Sequence, residues 1–304
     1  MKTNTNNQTI LIAFTANAVI SVTKFLVAGM TGSTAMLAEA IHSLADTGNQ
    51  ALLLVGIRRG KKRATVQHPL GFGREQFFWP FVVAISLFGV GGLFSVYRGI
   101  TQLVAGAHEV SHPEFGLLVL GTAFLFEGFS LYIASRHFQA QRGKASIFRF
   151  MQETKNPALL TVLLEDSAAL VGLTIAASGL VLSLLTHNGI YDSLASVLIG
   201  LVLVVVASFL AREVKALLIG ESASAEVRQV IRTICRRGQG VTDVLEIITL
   251  QIGPNDVLVT ANLEFQGNLT TRQVVNRIRS LEEEIRAAVP QAHKIFIEPQ
   301  IRKR

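Results

Sequence analysis

The amino-acid sequence predicts an all-α transmembrane domain of six helices, followed by a small α+β domain in the cytoplasm. Half of the 304 residues are hydrophobic and only 16% are charged, whereas about a quarter are charged in soluble domains. The apolar residues fall into runs of the roughly 20 residues that cross a bilayer. After residue 216 charges become frequent and apolar residues periodic. We therefore expect a transport domain at 1–215 and a second domain at 216–304.

The predicted spans lie near residues 10–29, 34–57, 77–104, 114–136, 157–185 and 192–213. The loops after the second and fourth spans are rich in Lys and Arg, and the other three links contain neither. These basic residues are Arg58, Arg59, Lys61, Lys62, Arg63, Arg74, Arg136, Arg142, Lys144, Arg149 and Lys155. Because cytoplasmic loops carry the Lys and Arg excess, we expect both termini and both basic loops to be cytoplasmic.

The positions of the basic residues also explain the net charge of +7. Most of them flank predicted spans, so we expect a solvated role beside the membrane rather than nucleic-acid binding. Contact of the cluster at 58–63 with the phosphates of anionic lipid head groups stays open. The single cysteine excludes an internal disulfide framework. The short polar N-terminus has no cleavage signal after the first apolar run, which indicates a retained span. It also lacks the features of a transit peptide, which favours a bacterial inner membrane over an organelle.

The C-terminal region reads as helix, strand, strand, helix, strand. Residues 223–237 have helical apolar spacing. VLEIITLQIG and VLVTANLEF alternate as strands do, and Gly-Pro-Asn-Asp between them is a strong turn signal. Thr270 or Thr271 is placed to cap a helix that ends before Pro290, and HKIFIEP is a last short strand.

The second, fourth and fifth predicted spans carry acidic residues and a histidine inside the apolar run, and such residues cost several kcal/mol in a membrane unless they face a partner or water. They are Glu39, His42, Asp46, Glu127, Glu165 and Asp166. At about 1.5 Å of rise per residue, all except Glu39 fall within a turn or two of the membrane midplane. This agreement in depth indicates one shared site.

His42 and Asp46 are four residues apart, so one helix face offers an imidazole nitrogen and a carboxylate to a single ion. Asp166 on a facing helix supplies another oxygen. This mixed set suits tetrahedral Zn²⁺, whereas oxygen-only octahedral sets suit Mg²⁺ or Mn²⁺. Because the ligands bind metal only when deprotonated, metal entry would expel protons and metal release would take them up. The pattern predicts metal–proton antiport.

The sequence leaves two interpretations open for Glu39 and two for Glu127. Glu39 lines the pathway or forms a packing pair, and Glu127 carries protons or pairs with a neighbouring span. Glu165 points about 100° away from Asp166, so both are not expected to face the site without distortion. Lys24, with Asn17 and Asn49, is expected to make polar contacts between helices.

Three other functions compete with antiport. An intramembrane metal-dependent hydrolase could use Glu127 as its base, although the one HExxH match in the sequence, His108–His112, falls in the predicted outer loop and not in a span. A passive divalent channel would show flux without proton coupling. A membrane-anchored structural protein would leave the buried carboxylates unexplained.

Several segments, in this order, resemble the cation diffusion facilitator family: AEAIHSLADTGNQ, HPLGFGRE, LLEDSAALVGL and YDSLASVLIG. The resemblance covers essentially the whole chain and looks strongest to the subgroup that contains the animal mitochondrial zinc transporter. It implies a homodimer that exports a divalent metal, mostly zinc, against protons by alternating access. Manganese, iron and cobalt are alternative cargoes. It further implies a ferredoxin-like cytoplasmic domain and no prosthetic group.

The resemblance assigns His42 and Asp46 to the family's ligand pair in the second span and Asp166 to a ligand in the fifth. The family's other ligand in the fifth span falls on Val162, which cannot ligate a metal. Glu165, water or another span is therefore the candidate fourth ligand.

The family's auxiliary metal sites are expected to be largely missing. In the first basic loop only His68 remains as a metal contact, because Phe72 occupies the later histidine position. The family's site at the cytoplasmic dimer interface falls near residues that lack the expected histidines: Leu245, Asn262, Glu298 and Gln300. We expect that domain to hold no binuclear metal cluster and to act chiefly in dimerisation.

Overall fold

A computed structural model describes the backbone of residues 2–107, 110–142, 146, 151 and 154–301. It describes the side chains of the same residues except 2–16 and 140–142. Lys144 and Arg149 of the second basic loop lie outside the described residues. The chain divides into two compact units, of which the first contains residues 1–56, 78–147 and 158–214. The second contains 57–77, 148–157 and 215–304, so two loop segments group with the C-terminal region.

Long helices form the first unit, and four of them extend beyond it by one to five residues. They are α1 (Lys2–Thr31), α2 (Thr34–Gly60), α3 (Glu75–Ser86), α4 (Phe94–Val104), α5 (Pro113–Arg142), α6 (Pro157–Thr186) and α7 (Ile190–Ile219). A π-helical segment, Leu87–Leu93, joins α3 to α4 without a break. The helices therefore match the six apolar runs and extend most of them by a few residues.

Within the described residues, four helical segments are long and apolar enough to cross a membrane: Glu75–Val104, Pro113–Gln139, Pro157–Thr186 and Ile190–Ile219. They coincide with the third to sixth predicted spans. The helix α1 contributes a shorter apolar stretch, Asn17–Thr31. The helix α2 is continuous, but the polar residues of the candidate site interrupt its apolar sequence. Spans one and two stay predictions.

Small side chains hold the first unit together. Its buried core joins α1, α2, α5, α6 and α7 and contains many alanines: Ala28, Ala35, Ala38, Ala123, Ala168, Ala176, Ala195 and Ala207. Small residues allow the backbones of membrane helices to approach closely and gain van der Waals contact.

The C-terminal part of the second unit has the predicted order of elements. These are α8 (Ala225–Arg237), β1 (Val241–Gly253), β2 (Asp256–Phe265), α9 (Thr271–Ala288) and β3 (Lys294–Pro299). The sheet order is β1-β2-β3, with β1 antiparallel and β3 parallel to the central strand β2. Pro254 and Asn255 form the turn between β1 and β2. Thr270 caps α9 in a capping box with Gln273.

The strand β2 supplies one side of this unit's core through strict alternation. Val257, Val259, Ala261 and Leu263 are all buried, because successive strand residues point to opposite faces. Ile231 and Cys235 of α8 and Leu281 and Ile285 of α9 pack in the same cluster. Two amphipathic helices therefore share one sheet face.

Burial makes the Cys235 thiol unreactive. The side chain has no exposed surface, and desolvation raises its pKa to about 11, so the nucleophilic thiolate is scarce at neutral pH.

We expect the native chain at pH 7.5 to resist iodoacetamide and to be labelled at Cys235 once it is unfolded in denaturant, as measured by intact mass. Gln229→Cys, on the exposed face of the same helix, should gain one label without denaturant; labelling of the wild-type chain at that rate would contradict the assigned burial.

Candidate functional site

His42 and Asp46 lie one helical turn apart on α2. The His42 Nδ1 atom is 3.5 Å from Asp46 Oδ1, which is longer than a well-formed hydrogen bond. Both ring nitrogens of His42 and the Asp46 Oδ1 atom are buried and find no hydrogen-bond partner among the described residues. Because buried polar atoms normally have a partner, this pair retains unused bonding capacity.

A small cavity lies between α1, α2, α5 and α6. Its described lining contains four carboxyl side chains and no cationic one: Asn17, Ile20, Ser43, Asp46, Glu127, Glu165 and Asp166. Its volume of about 10 Å³ is about the space of one water molecule. A hydrated metal ion does not fit, so an ion reaching these carboxylates must shed most of its water. His42 is not part of this lining and adjoins it only through its 3.5 Å approach to Asp46.

Glu165 and Asp166 are neighbours on α6, and both side chains line the cavity although their directions on an undistorted helix differ by about 100°. Glu165 Oε1 accepts a hydrogen bond from Asn49 Nδ2 of α2 at 2.7 Å. Asp166 Oδ2 accepts one from Ser130 Oγ of α5 at 2.7 Å. Each carboxylate turns toward a different neighbouring helix, so the two reach the cavity from different directions. Asn49 thereby makes the interhelical contact expected of it.

The predicted ligands are near one another without forming a finished metal site. In the described ranges, no three His, Cys, Asp or Glu side chains are grouped closely enough to hold one ion. Val162, one turn before Asp166, is half-buried and offers only methyl groups. A tetrahedral set built from the predicted ligands requires side chains to rotate away from their present hydrogen bonds.

A buried ion pair lies one turn from His42, toward the start of α2. Lys24 of α1 is fully buried, which is rare for lysine. Its Nζ atom lies 3.2 Å from Glu39 Oε2 and donates to Ser43 Oγ at 2.6 Å. Of the two roles expected for Glu39, the structure shows the packing pair, and Glu39 does not line the cavity. Proton transfer through Glu39 or Glu127 stays a prediction.

Asp192, in the first turn of α7, is a buried residue that sequence reasoning missed. Its Oδ1 atom accepts from Ser33 Oγ at 2.5 Å, and its Oδ2 atom accepts from the Thr34 backbone N–H at 2.6 Å and from Thr34 Oγ1 at 2.8 Å. It therefore caps the N-terminus of α2 from another helix. Applied to the span ends, the depth comparison places Asp192 level with Ser33 and Thr34, but it does not show that their helices are neighbours.

His68 lies apart, in the loop within the second unit. Its backbone exchanges two hydrogen bonds with Thr65 and accepts a third from Gly71 N–H. Its ring lies 4.5 Å from the Phe72 ring, between centroids. These contacts form a turn, and a metal contact at His68 stays a prediction.

Comparison with known proteins relates the first unit to cation transport. A family model described as the cation efflux transmembrane domain matches residues 10–219. The mitochondrial proton-coupled zinc antiporter of Mus musculus is 30% identical over 276 residues, which is 88% of this chain and 47% of that protein. Metal tolerance protein C4 of Arabidopsis thaliana is 29% identical over 275 residues, which is 90% of this chain and 60% of that protein. The chain thus spans about half the length of the curated relatives it matches.

Two further similarities involve magnetosome proteins. The protein MamM of Paramagnetospirillum magneticum is 31% identical over 127 residues, covering 41% of this chain and 39% of that protein. Among solved structures, the cadmium form of a variant of the MamM C-terminal domain is 14% identical, with a TM-score of 0.25. It covers 26% of this chain and 98% of that one.

Removal of the Asp192 carboxylate should destabilise the first unit. Asp192→Ala leaves Ser33 Oγ and two Thr34 donors without their buried acceptor, which costs about 2–3 kcal/mol. We expect a lower midpoint of thermal unfolding in detergent, with a smaller loss for Asp192→Asn, which keeps one acceptor oxygen. Ser178→Ala, an exposed change on α6, serves as control. An unchanged midpoint for Asp192→Ala would contradict the capping role.

Lys24 and Glu39 should be energetically coupled. Lys24→Met leaves a buried carboxylate without its cation, which costs about 3–5 kcal/mol. The double variant Lys24→Met/Glu39→Gln removes both charges and should recover most of that loss. The same unfolding measurement on both single variants and the double variant gives the coupling energy; additive losses would show that the pair does not act as a unit.

Proposed function

This chain belongs to the cation diffusion facilitator family, and from that premise we propose that it exports a divalent metal cation in exchange for protons. We propose Zn²⁺ as the cargo, since the 30% identical mouse relative is named as a proton-coupled zinc antiporter. Manganese, iron and cobalt remain the alternatives within the family. The transported ion is a substrate, and the chain needs no prosthetic group for this function.

The cavity lined by four carboxyl side chains carries the proposal. Ionised carboxylates at such short range in an apolar interior repel one another, and burial removes the water that would stabilise them. They need neutralising charge, which either a divalent cation or bound protons can supply. Metal and protons therefore compete for one small site, which is the physical basis of exchange.

We assign His42, Asp46 and Asp166 as metal ligands and Glu165 as the fourth. The first two hold unpaired buried atoms, so they can bind an arriving ion without losing hydrogen bonds of their own. Asp166 and Glu165 must in addition turn away from their serine and asparagine donors. Glu127, in the same cavity lining, would hold the exchanged proton.

The proposed assembly is a homodimer of six-span subunits with cytoplasmic termini in a bacterial inner membrane. The asymmetric distribution of Lys and Arg among the loops supports the orientation. Residues 1–215 would carry transport, and the ferredoxin-like domain at 216–304 would support dimerisation. Alternating access would expose the site to each side in turn.

Transport in proteoliposomes tests the assignment. The purified chain is reconstituted with an imposed pH gradient, and uptake of Zn²⁺, Mn²⁺, Fe²⁺ and Co²⁺ is followed. We expect gradient-driven Zn²⁺ uptake, reduced at least about tenfold in Asp46→Asn and Asp166→Asn, because each loses a charged ligand. Glu165→Gln should show a comparable loss, as it substitutes for the ligand missing at Val162.

Glu114→Gln is the matched control, because Glu114 is an exposed carboxylate distant in sequence from the cavity residues of α5. It should transport at the wild-type rate. Wild-type uptake by Asp46→Asn would exclude the proposed site. Uptake that ignores the pH gradient would instead indicate a passive channel.

A further inference from the structure

A second cavity lies in the second unit, away from the carboxylate site. Its walls come from the loop that follows α2, from the turn between β1 and β2, and from the start of β3. Its volume is about 400 Å³, within the range of roughly 300–1,000 Å³ that is typical of ligand sites. Its lining includes Phe72, which stands at an auxiliary metal position of the family but cannot ligate a metal, so a metal site does not account for the cavity.

Two contacts within the unit fix the cavity walls. The Lys294 ammonium donates a hydrogen bond to the Pro69 carbonyl oxygen, which ties β3 to the loop. Gly73 approaches β1 so closely that a β carbon there would lie 2.8 Å from the Ile252 carbonyl oxygen and 3.3 Å from Gly253 Cα. Because a larger residue at Gly73 would push the loop away, this contact shapes the cavity.

The lining is cationic. It contains the side chains of Lys61, Lys62 and Lys294 against one carboxylate, Asp256. Asp256 Oδ1 is itself engaged by His293 Nδ1 at 3.1 Å. The side chains of Lys61 and Lys62 are exposed, so their ammonium groups are free to reorient toward a ligand. Such a lining favours an anion with several acceptor oxygens.

The cavity also lies at a definite point along the chain. Gly60, in its lining, is the last residue of α2, and Gln76 at the other end of the loop lies in the first turn of α3. Under the proposed topology, this loop lies at the cytoplasmic surface of the bilayer, where anionic lipids attract basic residues.

We propose that this cavity binds a phosphate group, supplied by the head group of an anionic phospholipid. The lysines pair with the phosphate oxygens, and the remaining volume holds the glycerol part of the head group. The bound lipid would tie the loop between α2 and α3 to the membrane surface. Binding of this kind is independent of metal transport and can be measured without it.

Lipid binding to the purified full-length chain in neutral detergent tests the proposal. Native mass spectrometry measures the apparent affinity for phosphatidylglycerol, with zwitterionic phosphatidylcholine as reference and inorganic phosphate as competitor. We expect phosphatidylglycerol to bind more tightly than phosphatidylcholine. Each lysine removed should weaken its binding about fivefold, so Lys61→Gln/Lys62→Gln should lose about 25-fold. These two side chains are exposed, so this variant should fold normally.

Arg236→Gln on α8 is a matched charge change outside the cavity lining and should bind as the wild type does. Lys294→Met should weaken binding as well, and thermal unfolding shows whether that variant remains folded. If millimolar inorganic phosphate displaces phosphatidylglycerol, the site recognises the phosphate group itself. If it does not, the site requires the rest of the lipid as well. Equal binding of both lipids, or equal losses in Arg236→Gln and the lysine variants, would overturn the proposal.

Discussion

The cost of holding carboxylates in an apolar interior is the constraint on which the first unit depends. Each buried charge must be neutralised or surrounded by donors to remain stable. Glu39 has the Lys24 ammonium, and Asp192 has four donors at the start of α2. By contrast, the carboxylates around the small cavity have at most one neutral donor each in the described residues. The degree of compensation thus separates the acids that join helices from those that remain available to an ion.

Helices and strands could be predicted well from the sequence, because the spans are long apolar runs and the apolar residues of the C-terminal elements recur at helix or strand spacing. The long apolar runs become helices within a few residues of their predicted ends, and the alternation in β2 appears directly as alternating burial. The second predicted span is harder to recognise by hydropathy for a physical reason. The residues that would bind an ion stand where other spans have apolar residues, so they lower the hydropathy by which a span is recognised.

The candidate site was predictable only in part. Comparison of depths along separate helices grouped Asp46, Glu127 and Asp166, whose side chains line one cavity, while the ligand roles of His42, Asp46 and Asp166 stay predictions. It could not show that Asn49 and Ser130 orient the carboxylates of α6, because hydrogen bonds between helices depend on rotation about each helix axis. The same limit hid Asp192, whose acceptors matter only once α7 lies against the beginning of α2. Pairwise distances between helices were the missing information.

The cap on α2 has a mechanical consequence. The first turns of α2 and α7 are joined through one buried carboxylate, and separating them would strand several donors in an apolar interior. The ends of α2 and α7 at Asp192 therefore stay together when α2 tilts. A tilt of α2 then moves its far end, near Gly60, much more than its capped end. Asp46, about halfway along, travels an intermediate distance, so a modest tilt is enough to change its separation from α6.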